Sequence, residues 1–557
     1  MSFKREVPYG IPTQPPRSSV SQVRVAPTGY SDTPALLAEP GSITSGQNVW
    51  LWNGLRCRPR LQQLGTTNPL NDVPTGGQLY NSVDGAFQPV VESKRTVSTL
   101  IGDTWQPLTY VSGMSNNPPS GGQNDFWFGA ITYLPRVDQN ILVLVNGVDP
   151  AFAAMPSRTT TYSTLTQGLI AHDVAAFDNR IFYWNIRYSS SASQLVQRLA
   201  WTTRGNPEES STTNIGPGYV DVFDMVGYGT RVIPRLDGLL IATDQQVWTA
   251  QPLGDAFGTY NPQPFLRSVG MPHSRAVLNT PDGLFWLGQD LMVYHMPLAG
   301  YDVQPIGAKI QRTLHQEIGD PFAAFLGYHA DARQLTLYYE ESSDSFTRRG
   351  WTLNTLTGQW APQRYSHGLT VGFSTPIVVT SVSSGSSGSG APVWDALVGS
   401  FAANAQTYNE LLSGSPGVGG SSSAANFVEV AVASAGTVYA HIHPEAQATD
   451  DGVAVHHEAT LATPMATVPE RNKWVERARW DFRADSASSV SVAISGNFGQ
   501  TYPQELQLSV SATSVSSQIP TTWSVAGPNP TVRVRSTGGT WELVGLAVQA
   551  RFLGEEL

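Results

Sequence analysis

One pattern recurs between residues 165 and 410: an apolar β-rich run, a short polar turn, and a second run that carries aromatic residues. A single hairpin cannot bury both of its faces, so a recurrence of this kind predicts hairpins that pack on one another. The turns Asp237, Asp282 and Asp331 follow one another at intervals of 45 and 49 residues. A period of about 40 to 50 residues is typical when each repeat supplies one four-stranded blade of a β-propeller. The copies are VAAFDNRIFYWNI (174–186), LDGLLIATDQQVWTA (236–250), PDGLFWLGQDLMVYHM (281–296), FLGYHADARQLTLYYEE (325–341), RRGWTLNTLTGQWAPQ (348–363) and, more weakly, VWDALVGSFAANAQTYNE (393–410).

The aromatic residues of these hairpins have a structural interpretation. Blades that stack radially need large side chains in the layers between them, and we expect the aromatics to fill those layers. An exposed tryptophan that stacks on a sugar is the alternative for some of them. The residues concerned are Trp184, Trp248, Trp286, Tyr338 and Trp360.

The composition favours the same fold class. Gly (52) and Pro (39) are plentiful, 10% of residues are aromatic and only 14% are charged, which suits strands joined by tight turns. We therefore predict an all-β protein: a β-propeller with an extended N-terminal arm and a C-terminal β-sandwich-like domain. Short helices are expected only near 310–317 and 402–412.

The predicted domain boundaries follow changes in composition. The first segment is rich in proline and has little periodicity, whereas the Gly/Ser-rich stretches at 381–392 and 413–426 have the composition of loops or linkers. Alternating strands are predicted at 474–484, 489–496, 505–513, 531–539 and 541–554, which suits a sandwich. The predicted segments are an extended arm (1–44), a β-hairpin region that joins the propeller or a platform (45–165), propeller blades (166–412), a linker (413–426) and the sandwich-like domain (427–557).

A row of arginines stands near the N-terminus, in SGQNVWLWNGLRCRPRLQQLG (45–65). Asn53 and Gly54 predict a tight hairpin turn, because both tolerate a positive φ. On one returning strand, side chains alternate between faces, so Arg56, Arg58 and Arg60 would share one face. The opposite face would then carry Leu55, Cys57, Pro59 and Leu61.

Two roles are open for this row. The arginines could contact another subunit or an adaptor protein, since an acidic chain supplies acidic partners. Alternatively, they could belong to a solvated edge strand whose charges and Pro59 discourage pairing with other chains.

No residue pattern predicts catalysis, a metal or a cofactor. The adjacent histidines His456 and His457 would point to opposite faces of a strand, which does not suit two ligands on one metal. Carboxylate pairs occur as Glu340–Glu341 and Glu208–Glu209, but neighbouring acidic residues are usually solvated turns. The sequence therefore predicts a protein that is not an enzyme and needs no cofactor.

The net charge of the chain and the length of its apolar runs limit the kinds of partner that we expect for it. The formal net charge is −10, which does not suit a protein that grips many phosphates. The densest apolar run, ILVLV at 141–145, is too short to span a bilayer, and no signal peptide is expected. The single cysteine, Cys57, cannot form an intrachain disulfide and is expected to be a small buried residue.

The segment that holds the arginines also resembles a known family. With GQN at Gly46 to Asn48, NG at Asn53 and Gly54, and RP at Arg58 and Pro59, it looks like the start of the nozzle proteins of short-tailed bacteriophages, also called tail tubular protein B or packaged-DNA stabilisation proteins. The usual pattern of the family is an Asn, an Asp/Asn-Gly turn and then Arg-Pro-Gly. Arg60 stands here where the family has the last glycine. The resemblance extends, less specifically, to the hairpins and to VRVRSTGGTWELVGLAVQARF (532–552).

The resemblance implies a structural virion protein. Six copies would form a ring in the tail, below the portal and adaptor and near the tail fibres, assembled in the host cytoplasm. The ring would enclose the channel through which the genome leaves, help to retain packaged DNA and let the duplex pass without specific binding. Two alternatives belong to other classes: a receptor-binding tail fibre or spike that recognises host glycans, and a cellular propeller scaffold.

Overall fold

The computed structural model of this chain is all-β, and its described part contains one α-helix, Ala308–Glu317. Short 3₁₀ turns lie at Ser274–Ala276 and Pro321–Ala323. The structure describes residues 20–32, 39, 41–51, 54–68, 70, 72–83, 85, 87–111, 119–122, 124–156, 161–165, 168–208, 216–254, 258–343, 347–378, 425–442, 449–450, 453–462, 473–527, 530–537 and 539–552.

The chain divides into two compact units. One, here the terminal unit, combines residues 1–57 with 456–557; the other, the central unit, is formed by residues 58–455. The backbone therefore passes from one unit to the other twice, after Cys57 and after Val455. Both ends of the sequence belong to the terminal unit.

Among its described residues, the central unit contains seven meander sheets, numbered 1 to 7 in the order of their first strands. In each, successive strands pair antiparallel with their neighbours. Sheet 2 has a short additional strand, Thr109–Tyr110, that pairs parallel to its last strand. Sheet 1 consists of Pro74–Asn81, Phe87–Ser93, Val97–Ile101 and Thr104–Pro107; sheet 2 of Phe128–Leu134, Gln139–Val145, Phe152–Ala154 and Thr161–Thr164; and sheet 3 of Ile170–Phe177, Arg180–Arg187, Leu195–Trp201 and Gly218–Asp221.

The four later sheets have the same four-stranded order. The last strand of sheet 7 comes from the start of the unit, at Arg60–Gln63. Sheet 4 consists of Gly229–Pro234, Leu239–Thr243, Val247–Pro252 and Tyr260–Leu266; sheet 5 of Val277–Thr280, Gly283–Leu287, Val293–Met296 and Gln304–Pro305; sheet 6 of Phe325–His329, Gln334–Glu340, Thr347–Asn354 and Gln359–Arg364; and sheet 7 of Leu369–Val378, Ala425–Ala433, Val438–Ile442 and Arg60–Gln63. A two-stranded hairpin, Thr449–Asp450 with Val453–Ala454, completes the unit.

The hairpins predicted from the repeating pattern are confirmed wherever the structure describes them. In sheet 3 the turn is Asp178–Asn179, and both residues have positive φ, 50° and 53°. A two-residue turn of this conformation matches the right-handed twist of the strands it joins. The weaker copy at 393–410 lies outside the described residues.

Hydrophobic layers join most neighbouring meander sheets. Buried clusters lie between sheets 1 and 2, 2 and 3, 3 and 4, 4 and 5, and 6 and 7, and a further cluster joins sheet 7 to sheet 1. Sheets 5 and 6 meet through their first strands and through Trp360, whose Nε1 donates to the carbonyl of Ile306 at 3.0 Å. The predicted burial of the aromatics is confirmed for Trp184, Trp248, Trp286, Tyr338 and Trp360.

The strand Arg60–Gln63 pairs antiparallel with Val438–Ile442, with Leu61 opposite His441. Leu61 is fully buried among Phe325, Tyr338 and Tyr439. Sheet 7 is therefore built from two parts of the sequence that lie about 300 residues apart.

The α-helix leads from sheet 5 towards sheet 6. Its apolar residues Ile310 and Leu314, one turn apart, are its buried side chains. The helix predicted near 310–317 is thus confirmed, and the segment 402–412 lies outside the described residues.

The part of the terminal unit that the structure describes forms two six-stranded sheets. The strands predicted from alternation in the last 85 residues are all present, with ends shifted by up to three residues. The core includes Trp480, Phe482, Ile494, Val534 and Trp541, all buried. One sheet contains Val49–Leu51, Leu55–Cys57, Trp541–Phe552, Lys473–Ala484 and Thr513–Gly527 in that order, with Val20–Val25 also on Trp541–Phe552; the other contains Thr28–Tyr30, Ser42–Gln47, His456–Ala462, Thr531–Thr537, Ser488–Ser495 and Gln504–Val510.

These units do not follow the boundaries drawn from composition. The described part of the predicted arm forms the strands Val20–Val25, Thr28–Tyr30 and Ser42–Gln47, which pair within the terminal unit. The region 45–165 contributes sheets 1 and 2 to the central unit, and residues 427–455 belong to that unit too. The unit to which a strand belongs is decided by pairing partners several hundred residues away in the sequence. Local composition carries no information about those partners. The linker 413–426 lies outside the described residues except for its last two, which begin a strand.

Candidate functional site

The structure does not place the three predicted arginines on one face of one strand. Arg56 lies on Leu55–Cys57 of the terminal unit, whereas Arg60 begins the last strand of sheet 7 in the central unit. Arg58 lies between the two strands, followed by Pro59, which has no backbone N–H to continue a ladder. The single-strand geometry predicted for the row is therefore wrong. The hairpin before it is confirmed by the pairing of Val49–Leu51 with Leu55–Cys57, while Asn53 of the predicted turn lies outside the described residues.

Arg58 is a buried structural residue of the central unit, with 1% of its side chain exposed. Its Nη1 donates to Asp450 Oδ1 at 3.0 Å, and its Nη2 donates to Asp450 Oδ2. Burial alone would raise the pKa of Asp450, but the charge and hydrogen bonds of Arg58 outweigh it and hold that pKa below its usual value. The guanidinium also lies 4.8 Å from the ring centre of Tyr365. Arg58 thus ties the short hairpin at Asp450 to the start of the unit.

Arg56 and Arg60 keep accessible surface. Arg56 Nη2 lies 3.7 Å from Asp485 Oδ2, and a quarter of its side chain is exposed. Arg60 Nη2 donates to Gln62 Oε1 at 2.8 Å. A contact role for these two residues stays a prediction.

The residues that carry the family resemblance in the terminal unit are under tight steric constraint. A Cβ at Gly46 would lie 2.5 Å from the carbonyl oxygen of Glu458, and a Cβ at Gly54 would lie 2.5 Å from that of Leu543. Asn48 has a φ of 59°, and its Nδ2 donates to the carbonyl of His456 at 2.8 Å. Two close backbone approaches and one left-handed residue therefore explain why glycine and asparagine stand at these positions.

The histidine pair behaves as the alternation of a strand predicts. His457 is fully buried, with Nδ1 2.7 Å from the carbonyl of Asn48, whereas His456 is partly exposed, with Nε2 3.3 Å from Glu458 Oε2. Within the part of the chain that the structure describes, no group of three His, Cys, Asp or Glu residues could hold a metal ion.

One described member of each carboxylate pair lies beside an arginine. Glu341 accepts from Arg349 at 3.3 Å. Glu208 lies 3.6 Å from Arg136, and Glu209 is outside the described residues.

A cavity of about 430 Å³ lies within the central unit, where residues of six meander sheets converge. Its charged lining side chains are Arg231 and Arg275. Sequence reasoning did not find this site, because its lining comes from short pieces of sheets 1, 2, 4, 5, 6 and 7 that no local motif marks. The lining residues include Gly76, Gly77, Phe126, Phe128, Gly129, Leu278, Leu326, Val371, Gly372 and Phe373.

Arg231 already has a carboxylate partner. Its Nε lies 3.0 Å from Asp173 Oδ2, and its Nη1 donates to the carbonyl of Ser274 at 3.0 Å. Burial raises the pKa of Asp173 to about 6, although Arg231 and the N–H of Val232 oppose the shift. The guanidinium also lies 4.4 Å from the ring centre of Phe128.

Arg275 has no such partner within the described residues. Its Nη1 donates to the carbonyl of Ala323 at 3.2 Å, and its guanidinium lies 4.0 Å from the ring centre of Phe126. Burial lowers the pKa of Arg275 to about 9, and the more distant charge of Asp320 only partly opposes that shift.

Two glutamates are buried inside the described part of the central unit, Glu92 and Glu429. Glu429 of sheet 7 accepts from the hydroxyl of Tyr338 at 2.5 Å and from that of Thr336 at 3.2 Å, and burial raises its pKa to about 8 despite these bonds. Burial also raises the pKa of Glu92, in sheet 1, well above its usual value. Glu429 therefore holds its proton at neutral pH.

No helix among the described residues is long and apolar enough to cross a membrane. This agrees with the absence of a long apolar run in the sequence.

No protein-family model matches the sequence, and no curated protein matches it. Among solved structures, BBS1N in complex with ARL6DN is 9% identical with a TM-score of 0.35, and the match covers 69% of this chain and 98% of that one. An exo-β-1,3-galactanase from Phanerochaete chrysosporium, crystallised with galactose, is 9% identical with a TM-score of 0.20, and the match covers 95% of this chain and 100% of the other. At such TM-scores neither likeness carries an argument about activity or partners.

Proposed function

We propose that the protein is a structural, non-enzymatic subunit of the tail nozzle of a short-tailed bacteriophage. In this proposal the central unit is a seven-bladed β-propeller, each meander sheet being one blade, and the terminal unit is a β-sandwich. Six copies form a ring below the portal and adaptor, close to the tail fibres, and the ring surrounds the channel through which the genome leaves.

The order of the sheets supports the propeller. Seven meanders follow one another along the sequence, each packs on the next, and the cluster between sheets 7 and 1 joins the last to the first. The fourth strand of sheet 7 comes from the start of the unit, at Arg60–Gln63. A radial arrangement of this kind leaves only short, protected sheet edges.

The observation that carries the nozzle proposal is the structural role of the motif residues. Gly46, Asn48 and Gly54 occupy positions in the terminal unit where a Cβ or a right-handed backbone does not fit, and Arg58 makes a buried ion pair in the central unit. The resemblance to nozzle proteins rests on these same residues. Because the fold requires each of these residues, a shared architecture explains the motif better than a chance match of short peptides does.

The charge of the chain suits a conduit for DNA. A net charge of −10 repels the phosphates of a duplex, so the wall of the channel would not hold the genome in place. The proposed ring therefore retains DNA by enclosing it and lets it slide when the tail opens.

The number and symmetry of the copies in the assembled particle test the proposal. We expect native mass measurement to find particles of six 60.1-kDa chains, and negative-stain images to show six-fold rings. The same sample should bind duplex DNA weakly in a titration at low salt. A monomer would contradict the proposal, three-fold particles would favour a receptor-binding fibre, and tight, salt-sensitive DNA binding would exclude a non-gripping channel.

A further inference from the structure

The cavity of the central unit has the features of a binding site. Its volume of about 430 Å³ falls in the range of roughly 300 to 1,000 Å³ that is usual for pockets that hold small molecules. Its walls combine phenyl rings, aliphatic side chains and exposed glycine backbone with two guanidinium groups. A pocket of mainly apolar walls with a few placed charges is the usual form of a small-molecule site.

The two guanidinium groups differ in their charge balance. Arg231 is neutralised by Asp173 at 3.0 Å. Arg275 forms no ion pair with the residues that the structure describes, and its Nη2 is buried without a hydrogen-bond partner among them. A buried charge without a partner is costly, and it is normally compensated by an opposite charge nearby.

Arg275 is also held firmly in place. Its Nη1 donates to the carbonyl of Ala323, and the guanidinium lies against Phe126 and within 5.2 Å of the ring centre of Phe325. Phe126 precedes sheet 2, Ala323 precedes sheet 6 and Phe325 begins it, whereas Arg275 itself precedes sheet 5. Three parts of the unit thus position a cation that forms no ion pair with the described residues at the wall of an apolar cavity.

We propose that this cavity binds a small carboxylic acid, with the carboxylate facing Arg275 and a ring-shaped or apolar body against Phe126, Phe128 and Phe373. A guanidinium presents parallel N–H donors that match the two oxygens of a carboxylate. The aromatic walls favour a flat apolar body over a fully hydrated ion. The site requires no oligomer and is independent of the proposed nozzle role.

The test uses the full-length protein and two matched probes, benzoate and its uncharged analogue benzamide. We expect benzoate to raise the melting temperature in a dose-dependent way and to bind in a calorimetric titration, because a ligand that binds only the folded state stabilises it. Benzamide should bind at least roughly tenfold more weakly, since it lacks the charge that Arg275 would compensate. Inorganic phosphate, which lacks an apolar body, should be weaker than benzoate as well.

Three variants locate the site. Arg275→Met removes the charge but keeps an apolar side chain, and it should weaken benzoate binding at least roughly tenfold. Leu278→Trp keeps both guanidinium groups and fills part of the cavity, so it should also abolish binding. Arg267→Met changes an exposed arginine just after sheet 4 and should bind as the unaltered protein does.

The outcomes decide the proposal. Loss of binding in Arg275→Met and Leu278→Trp, with binding retained in Arg267→Met, supports it. If Arg275→Met does not fold, Leu278→Trp together with the preference for benzoate over benzamide supplies the test. No binding of benzoate by the unaltered protein, equal binding of benzamide, stronger binding of phosphate, or unchanged binding in Leu278→Trp would overturn it.

Discussion

At the scale of single residues, the role of a charged side chain depends on whether it is buried. Its distance in the sequence from other charged residues does not decide that role. Arg56, Arg58 and Arg60 stand two apart in the sequence, yet Arg58 is enclosed and paired with Asp450 whereas the other two keep accessible surface. Alternation along a strand predicted one shared face, and it failed because Pro59 interrupts pairing and the partner of Arg58 lies 392 residues away. No local pattern could have revealed that partner.

The contact role predicted for the arginines can be tested on the two accessible ones. Arg56→Ser combined with Arg60→Ser should lower the fraction of assembled rings, while the melting temperature stays within about 1 °C because exposed pairs contribute little. Particle counts in negative stain and a thermal melt measure the two effects. Arg267→Ser is the matched control, and normal rings from the double variant would leave a solvated edge as the role of these residues. Arg58 must be retained, since removing one partner of a buried ion pair costs about 3 to 5 kcal/mol.

The buried acid Glu429 makes stability depend on pH. Its pKa is about 8 in the folded protein and near 4.5 in an unfolded chain, so between these values the folded state holds a proton that the unfolded state has released. The free energy of unfolding therefore falls as the pH rises from about 4.5 to 8. Glu429→Gln cannot ionise but keeps an acceptor for Tyr338, so it should melt about 2 to 4 °C above the unaltered protein at pH 8 and show little difference near pH 4.5.

Thermal melts across that pH range check this expectation. Asp302→Asn, at an exposed position beside sheet 5, is the control and should not change the pH profile. An unaltered profile in Glu429→Gln would show that another group governs the pH dependence. His441, 3.1 Å from the hydroxyl of Tyr338, is the titratable neighbour to examine next.

At the scale of elements, the short strand Arg60–Gln63 contributes more to the central unit than its four residues suggest. Four residues supply the fourth strand of sheet 7, and Leu61 enters the hydrophobic layer between sheets 6 and 7. The strands themselves were largely predictable, because the alternation and the turn residues are local signals. The sequence did not predict that Arg60–Gln63 belongs to sheet 7, because its partner strand Val438–Ile442 lies at the other end of the unit.

A pair of neighbouring substitutions measures the contribution of this strand. Leu61→Ala should lower the stability of the central unit by about 2 to 5 kcal/mol, because it opens a cavity in a packed layer. Gln62→Ala, at an exposed position on the same strand, should change stability by less than about 0.5 kcal/mol. Denaturant unfolding of both variants makes the comparison, and equal effects would mean that Leu61 does not anchor the strand.

At the scale of the whole molecule, the sequence predicted the all-β class and the hairpins but placed the divisions elsewhere. Composition set a boundary near residue 427, whereas the compact units divide after Cys57 and after Val455. The cavity and its uncompensated Arg275 were also beyond sequence reasoning, because residues from six sheets meet there. Local chemistry indicates strands and turns, while long-range pairing decides which of them form one unit.

Two fragments test the division into units. Residues 58–455 contain all seven meander sheets and should fold as a stable unit with a cooperative melt. Residues 427–557 should not, because the strands Ser42–Gln47 and Leu55–Cys57 that pair with His456–Ala462 and Trp541–Phe552 are missing. Circular dichroism and proteolysis of both fragments provide the measurement. A folded 427–557 fragment would contradict this division and support the domain boundary near residue 427 that composition predicted.

The split of the terminal unit between the two ends of the sequence has a consequence for biosynthesis. Its first strands leave the ribosome early, but the strands that pair with them follow only after roughly 400 further residues. At a synthesis rate of about 5 to 20 residues per second, the early strands wait on the order of 20 to 80 seconds for their partners. A chain that ends before these later strands are made therefore lacks the pairing partners of the first strands.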